Sequence, residues 1–193
     1  MKNLKVTFRG TTPILLNSCA TVNPLHPISI ERKEYTSKRK KTEEDLIKLA
    51  ELDFLASMYY DKEIGVYIPA ENIEATIING GKNNKKGKDI QKYCRVKDFK
   101  VQLNYGENLN IDELKKRMIE FSDTRAVVVN RARVMKTRAR FNNWEIKFNY
   151  SYNEDAIDLK EVVSAIEYAG EYVGLCDYRA RYGHFVSIIE ELD

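Results

Sequence analysis

Only two histidines and three cysteines stand among 193 residues. Cys19, Cys94 and Cys176 are odd in number and stand too far apart for a CxxC pair, so neither a zinc knuckle nor a set of disulfides is indicated. With only His26 and His184 beside them, no metal and no cofactor is expected. No apolar run approaches the roughly 20 residues that cross a bilayer. The segment Met1-Lys-Asn-Leu-Lys-Val-Thr-Phe8 also lacks the apolar core and small-residue cleavage site of a signal peptide. A cytoplasmic protein with no membrane partner is therefore expected. Walker loop, GxSxG elbow, HExxH helix and aspartate-rich metal pattern are all missing. Gly80-Gly81-Lys82 ends a helical pattern instead of opening one, the reverse of a phosphate-binding P-loop.

What is present is a segregated charge. The net formal charge is only +3, yet residues 125 to 140 hold Arg125, Arg131, Arg133, Lys136, Arg138 and Arg140 with no acid, a local +6. Residues 80 to 100 also carry +6, and residues 31 to 41 carry +4, which leaves −13 for the rest of the chain. A basic face against an acidic remainder is the electrostatic footprint of a nucleic-acid binder, although a charge run is as often a solvated surface.

Apolar periodicity supplies the elements. Lys5-Val-Thr-Phe8 alternates as a strand, and Asn23-Pro-Leu-His-Pro-Ile28 is read as a proline-punctuated loop opening a mobile basic segment over 23–41. A helix is expected from Thr42, whose hydroxyl precedes Glu43, Glu44 and Asp45, with Ile47, Ala50, Phe54 and Met58 as its core face. Val66 to Ile68 reads as a strand and Pro69 opens a second helix ending at Gly80-Gly81. Residues 80–92 read as a second mobile basic loop, Cys94 to Tyr105 as strand material and Ile111 to Phe121 as a short helix. Trp144, Ile146, Phe148, Tyr150 and Tyr152 alternate with polar residues, the pattern of a half-buried antiparallel strand. Its expected partner is Ala126 to Arg138, with Val127, Val129, Arg131, Arg133 and Met135 on one face. A capping-box-like start at Asp158-Leu-Lys-Glu161 opens the last helix, which runs to Gly174, and His184 to Ile189 closes the chain as a strand. Together these describe one α+β domain over residues 1–193, an elaborated ferredoxin-like or RRM-like domain with an antiparallel sheet and inserted basic loops.

Between the last helix and strand lies Gly174-Leu-Cys-Asp-Tyr-Arg-Ala-Arg-Tyr-Gly-His-Phe185. Glycine permits close backbone approach, arginine offers a planar fork to phosphate and tyrosine a flat face to a base. The segment AGEYVGLCDYRARYGHFVSI, residues 169 to 188, resembles the C-terminal glycine-rich loop and closing strand of the RAMP superfamily, the repeat-associated backbone proteins of CRISPR effector complexes. Paired with YIPAENIEATI at 67 to 77, it is also similar to small phage and prophage proteins of unassigned activity. Cys176 and Ala180 stand where that family more often has small or turn residues. The resemblance implies an RNA-recognition-type core that grips a single-stranded backbone and assembles head to tail.

The candidate nucleic-acid contacts are Lys38 and Arg39, then Lys85, Lys86 and Lys88, then Arg131, Arg133, Lys136, Arg138 and Arg140, then Tyr178, Arg179 and Arg181. Tyr178, Tyr182 and Phe141 are candidates for stacking bases, at about 1 to 3 kcal/mol per base. The expected function is non-catalytic binding of single-stranded DNA or RNA. One alternative is a metal-independent endoribonuclease using His184 as general acid or base. Another is a protein-interaction module, such as an inhibitor of a host defence complex, whose sign would be a dominant acidic face.

Overall fold

The computed structural model describes residues 1–129, 131–179 and 181–192. In chain order its elements are β1 (Lys2–Gly10), β2 (Ile14–Leu15), α1 (Pro27–Thr36), α2 (Glu43–Ser57), β3 (Tyr60–Asp61), β4 (Gly65–Pro69), α3 (Ala70–Gly81), α4 (Gly87–Tyr93) and β5 (Cys94–Val96). There follow β6 (Lys100–Gln102), α5 (Ile111–Lys116), β7 (Ser122–Val129), β8 (Ala132–Phe141), β9 (Glu145–Tyr152), α6 (Leu159–Tyr168) and β10 (Phe185–Leu192). Contacts group these into two compact units: Met1–Ile14, Asp61–Asn108 and Asn142–Asp193 form the first, Leu15–Tyr60 and Leu109–Phe141 the second. Among the described residues no helix is long and apolar enough to cross a membrane.

The first unit is built on an antiparallel sheet of order β10-β1-β9-β5. Helix α3 stands between β1 and β5 in the chain, and α6 between β9 and β10, giving the β-α-β-β-α-β succession of a ferredoxin-like, RRM-like α+β fold. The alternation of β1 buries Leu4, Val6 and Phe8 beside Tyr150, Phe148 and Ile146 of β9. Phe8 stacks on Phe185 with ring centroids 3.8 Å apart and meets the edge of Phe148 at 5.0 Å. The same core takes Ile73 and Ile77 from α3 and Val162 and Ile166 from α6, apolar residues recurring at helical spacing.

The second unit is assembled from two insertions into that succession. One supplies α1 and α2, the other α5, β7 and β8. Helix α2 begins as expected: Thr42 Oγ1 accepts from Asp45 N at 3.2 Å while Asp45 Oδ2 accepts from Thr42 N at 3.0 Å, a reciprocal capping box. Its C-terminal end meets β8, where Ala139 N donates to Ser57 Oγ at 2.7 Å. Leu52, Phe54, Thr137, Ala139 and Phe141 are buried.

Three expectations are corrected. The stretch 23–41 is not a loop throughout, because Pro27 occupies the first turn of α1 and His26 Nδ1 caps it by accepting from Ile28 N at 3.3 Å. Proline at that position starts a helix instead of breaking one, and α1 buries no residue, so it left no apolar period to read. Likewise α4 begins at Gly87 inside the expected 80–92 loop. Finally, residues 126–138 do not form one strand against β9. They straddle a hairpin between β7 and β8, while β9 pairs with β1 and β5. Arg131 holds the turn at φ 65°, a left-handed conformation that reverses the chain and shifts the alternation beyond it. Asn130 before it lies outside the described residues. At α6 the side chain of Asp158 makes no capping hydrogen bond, though the residue does occupy the N-cap.

Candidate nucleic-acid interface

In the β7–β8 hairpin Arg125 lies opposite Lys136, Asp123 opposite Arg138, and Val128 opposite Arg133. Directly opposed residues share a face, so the register sorts the basic residues into two groups. Lys136, Arg138 and Arg140 alternate along β8 about 7 Å apart and share their face with Arg125 and Asp123. Asp123 is the lone acid of residues 122–141. Arg125 grips it with Nε and with Nη2 at 3.0 Å, and Arg140 Nη1 stands 3.7 Å away. Asp123 thus pairs with Arg125 and Arg140 on a face that also carries Lys136 and Arg138.

The opposite face is buried at its base through Thr137, Ala139 and Phe141 and exposed toward its tip at Arg133, Met135 and Val128. Phe141, at 1% exposure, is core and cannot stack a base. Arg131 and Arg133, exposed beside Val128, Val134 and Met135, make the tip both cationic and apolar. Arg131 and Arg133 were expected to share one face with Val127, Val129 and Met135. The turn instead sets Arg133 with Met135 and Val128.

The other basic segments are used differently. Lys38 Nζ lies 2.6 Å from Asp45 Oδ1 and 5.0 Å from the Tyr35 ring centroid, so it clamps the start of α2. The Asp45 hydrogen bond holds the Lys38 ammonium above the usual lysine range, and the same bond holds Asp45 below the usual carboxylate range. Arg39 is exposed. Lys86 Nζ bridges Glu161 Oε1 at 2.9 Å and Asp89 Oδ2 at 3.6 Å, tying the α3–α4 connection to α6. Lys85, with φ 60°, and Lys88 are exposed.

The glycine loop after α6 is closed by a narrow neck. A π-helical turn, Ala169–Val173, delivers the chain to Gly174 at φ 78°. Leu175 N donates to Gly183 O and Gly183 N to Pro13 O, both at 2.8 Å. A Cβ on Gly183 would lie 2.0 Å from Leu175 O, at a φ of 75°, so only glycine fits. Thr76 Oγ1 of α3 donates to Gly174 O at 3.2 Å. Beyond the neck, Cys176 and Tyr178 adopt left-handed φ values of 67° and 51°, costly for side-chain-bearing residues unless the surroundings impose them.

That geometry turns Tyr178 outward at 50% exposure, its ring 5.8 Å from that of Tyr182. Arg179 and Arg181 are exposed on either side of Ala180, which is outside the described residues. Tyr182 is 7% exposed, so it supports Tyr178 instead of offering a face of its own, contrary to expectation. Burial pushes the Cys176 thiol up to about 12, which disfavours its thiolate.

His184 leaves this loop with its N–H donated to Thr12 Oγ1 at 3.0 Å and its Nδ1 3.2 Å from Gly170 O. A carbonyl only accepts, so Nδ1 carries the proton in the neutral ring and Nε2 is the basic nitrogen. Glu167 and Glu171 line the same cleft of about 420 Å³. Among the described residues no group of three His, Cys, Asp or Glu side chains could hold a metal ion.

RNA-recognition modules stack bases on aromatic residues of the sheet surface. Here the face of the sheet away from the core carries Asn3, Lys5 and Arg9 from β1, Glu145, Lys147 and Asn149 from β9, and Val186, Ile188, Glu190 and Leu192 from β10, with Thr7 and Ser151 buried on the same side. None is aromatic. Stacking would therefore fall to residues on connections, of which Tyr178 is the exposed one in the glycine loop. Sequence reasoning missed Asp123 and Arg125 as members of the cationic face. Their alternate spacing with each other was legible, but their partnership with β8 needed the turn position.

The fold and these surfaces define a ferredoxin-like α+β chain with a cationic hairpin inserted between its second and third sheet strands in chain order. The chain is similar in structure to one in the cryo-EM structure of the Type III-B Cmr-beta bound to cognate target RNA, with 12% identity and a TM-score of 0.54. The match covers 100% of this chain and 61% of that one, so this chain spans about three fifths of its neighbour's length. At that identity the likeness is one of fold. No protein-family model matches the chain, and no curated protein matches it.

Proposed function

We propose that this chain binds single-stranded nucleic acid without cleaving it: the second unit grips phosphates along the β7–β8 hairpin, and the first unit, taken by itself, offers Tyr178 as a stacking face for a base. The observation that carries the reading is the row of Lys136, Arg138 and Arg140 on one face of β8, joined on that face by Arg125 of β7. Arg131 and Arg133 extend it to the tip, and Arg179 and Arg181 flank Tyr178. RNA is the strand to test first, since the structural neighbour comes from an RNA-bound complex. Of the two histidines, His26 is engaged in a helix cap, while His184 keeps Nε2 for the ribonuclease test below. His26 Nδ1 caps α1, and the His184 ring is held on a main-chain carbonyl beside two carboxylates.

The test is fluorescence anisotropy against labelled single-stranded RNA, single-stranded DNA and duplex across a salt series. Preferential single-strand binding is expected, with log affinity falling linearly with log salt by about 0.7 per phosphate neutralised. Arg131→Ala, Arg133→Ala and Arg138→Ala combined should flatten that slope by about 2. Binding unchanged in that variant would sink the hairpin's role, and no binding of any strand at low salt would redirect attention to a protein partner. Incubated RNA should stay intact on a denaturing gel; cleavage abolished by His184→Ala would make the protein a ribonuclease. Head-to-tail assembly belongs to the same proposal and would appear in light scattering as mass that grows with strand length.

A further inference from the structure

The first unit holds another cleft, also of about 420 Å³, where β1 ends beside the start of β9. Its wall is Trp144, 3% exposed, whose indole Nε1 donates to Thr12 O at 2.8 Å. Gly10 lies flat on that indole, for a Cβ there would sit 2.2 Å from Nε1, and its N donates to Trp144 O at 2.9 Å. Across the cleft, Asn104 is bound to Glu145 by two main-chain hydrogen bonds of 2.9 and 2.8 Å. Gly106 N donates to Asn104 Oδ1 at 3.0 Å, which turns the chain at half-buried Tyr105. Both walls are therefore fixed by backbone bonds, and the site is preformed.

The lining has three chemical parts. Tyr105 gives an aromatic face. Asn143, exposed at the mouth, and Asn104 give amides that can donate and accept. Arg9 gives an anchored cation: its Nε and Nη2 both lie 3.0 Å from Glu145 Oε2. Lys147 Nζ approaches the other carboxylate oxygen at 3.1 Å, so two cations share one acid and a positive charge is left over. An aromatic plane, paired donor and acceptor groups and an anion anchor are what a nucleotide requires: a surface for the base, partners for its edge and a charge for its phosphate.

We propose that this cleft is a subsite for a single nucleotide unit, with the base on Tyr105, its edge at Asn143 and Asn104, and its phosphate on Arg9. The proposal rests on the single-strand-binding reading and adds to it a place where base identity is sensed.

Trp144 is the one tryptophan in the sequence, so its emission reports on this cleft. The full chain is titrated with AMP, GMP, CMP and UMP, and in parallel anisotropy is read with four labelled homopolymers. A saturable emission change with at least one nucleotide is expected. Tyr105→Ala should weaken it by roughly five- to a hundredfold, the range set by loss of one stacked base, while Tyr105→Phe retains it. Arg9→Gln should weaken the nucleotide but not the matching nucleoside, and Asn143→Ala should level the homopolymer preferences. The Arg131, Arg133 and Arg138 triple alanine variant should lose strand affinity yet keep the emission change, which separates this site from the hairpin. Either a saturable signal or a Tyr105-dependent base preference supports the proposal. It is overturned if no nucleotide alters the emission up to about 10 mM, the weak end of measurable binding, and Tyr105→Ala has the homopolymer profile of the parent.

Discussion

Residues 80–100 and residues 125–140 each carry a formal charge of +6, and the structure employs them in opposite ways. In the first, Lys82 bonds Asn79 Oδ1 at 2.7 Å, Lys86 bridges Glu161 and Asp89, Lys92 lies over the Tyr93 ring and Lys100 pairs with Asp61. Asp98 Oδ2, for its part, accepts from Asn149 N. Much of that charge holds helices and strands in place. In the second, six bases stand on a two-stranded ribbon whose distal half is exposed, and the one acid of residues 122–141, Asp123, pairs with Arg125 and Arg140. Counting bases along a chain measures charge; what a strand of nucleic acid meets is the charge left after the fold has used its share. Lysine's flexible ammonium suits the first role, and arginine's planar fork, able to hold phosphate and a neighbour together, suits the second.

The sharpest way to break this contrast is to neutralise each segment in turn. The Arg131, Arg133 and Arg138 triple alanine variant should lose about a hundredfold in strand affinity at 0.1 M salt, from three released counterion contacts. Lys85→Ala, Lys86→Ala and Lys88→Ala combined should lose no more than about fivefold, the worth of one such contact. Equal losses in anisotropy would erase the distinction. Next in size, Asp123→Asn removes the hairpin's acid and should tighten binding a few-fold with a steeper salt slope, by about one contact. A weaker complex would mean that Asp123 is needed to aim Arg125 and Arg140. The smallest effect belongs to Lys86→Ala, which should lower Tm slightly and leave affinity alone. Its hydrogen bond to Glu161 raises the Lys86 pKa above the ordinary 10.5. The stabilisation is thus fully present below the unfolded lysine pKa and fades as pH rises through the folded value. A thermal-melt series should show parent and variant converging only in strong alkali.

Most elements with a buried face were legible from periodicity, but in α2 only Phe54 and Met58 of the expected core face are buried, Ile47 being 60% exposed and Ala50 half-buried. Trp144 to Tyr152 alternates into the core as expected, α6 buries Val162, Ala165 and Ile166, and the Thr42 cap with Asp45 opens α2. What escaped has no such face. Helix α1 buries nothing, and α4 has only Gly87 and Ile90 buried. The hairpin turn rests on a left-handed arginine, a conformation more usual for glycine or asparagine, so composition hid it. Missing it displaced the pairing of β9 and mixed the two faces of the cationic ribbon. The basic residues themselves were found by charge alone. Which of them share a face, and that Tyr182 lies beneath Tyr178, depends on register and packing between residues distant in sequence.

The position of β1 has a consequence for how the molecule comes to exist. Val6 is paired with Phe148 on one side and with Ile189 on the other, so β1, an interior strand of the first unit, is synthesised long before either neighbour. Until then its main-chain groups and its row of Leu4, Val6 and Phe8 have no native partner, a state prone to wrong pairings. Pairings of such long sequence separation make loop closure costly and folding slow. On the ribosome the sheet of the first unit cannot close until β9 and β10 have emerged, so β1 waits unpaired through most of synthesis.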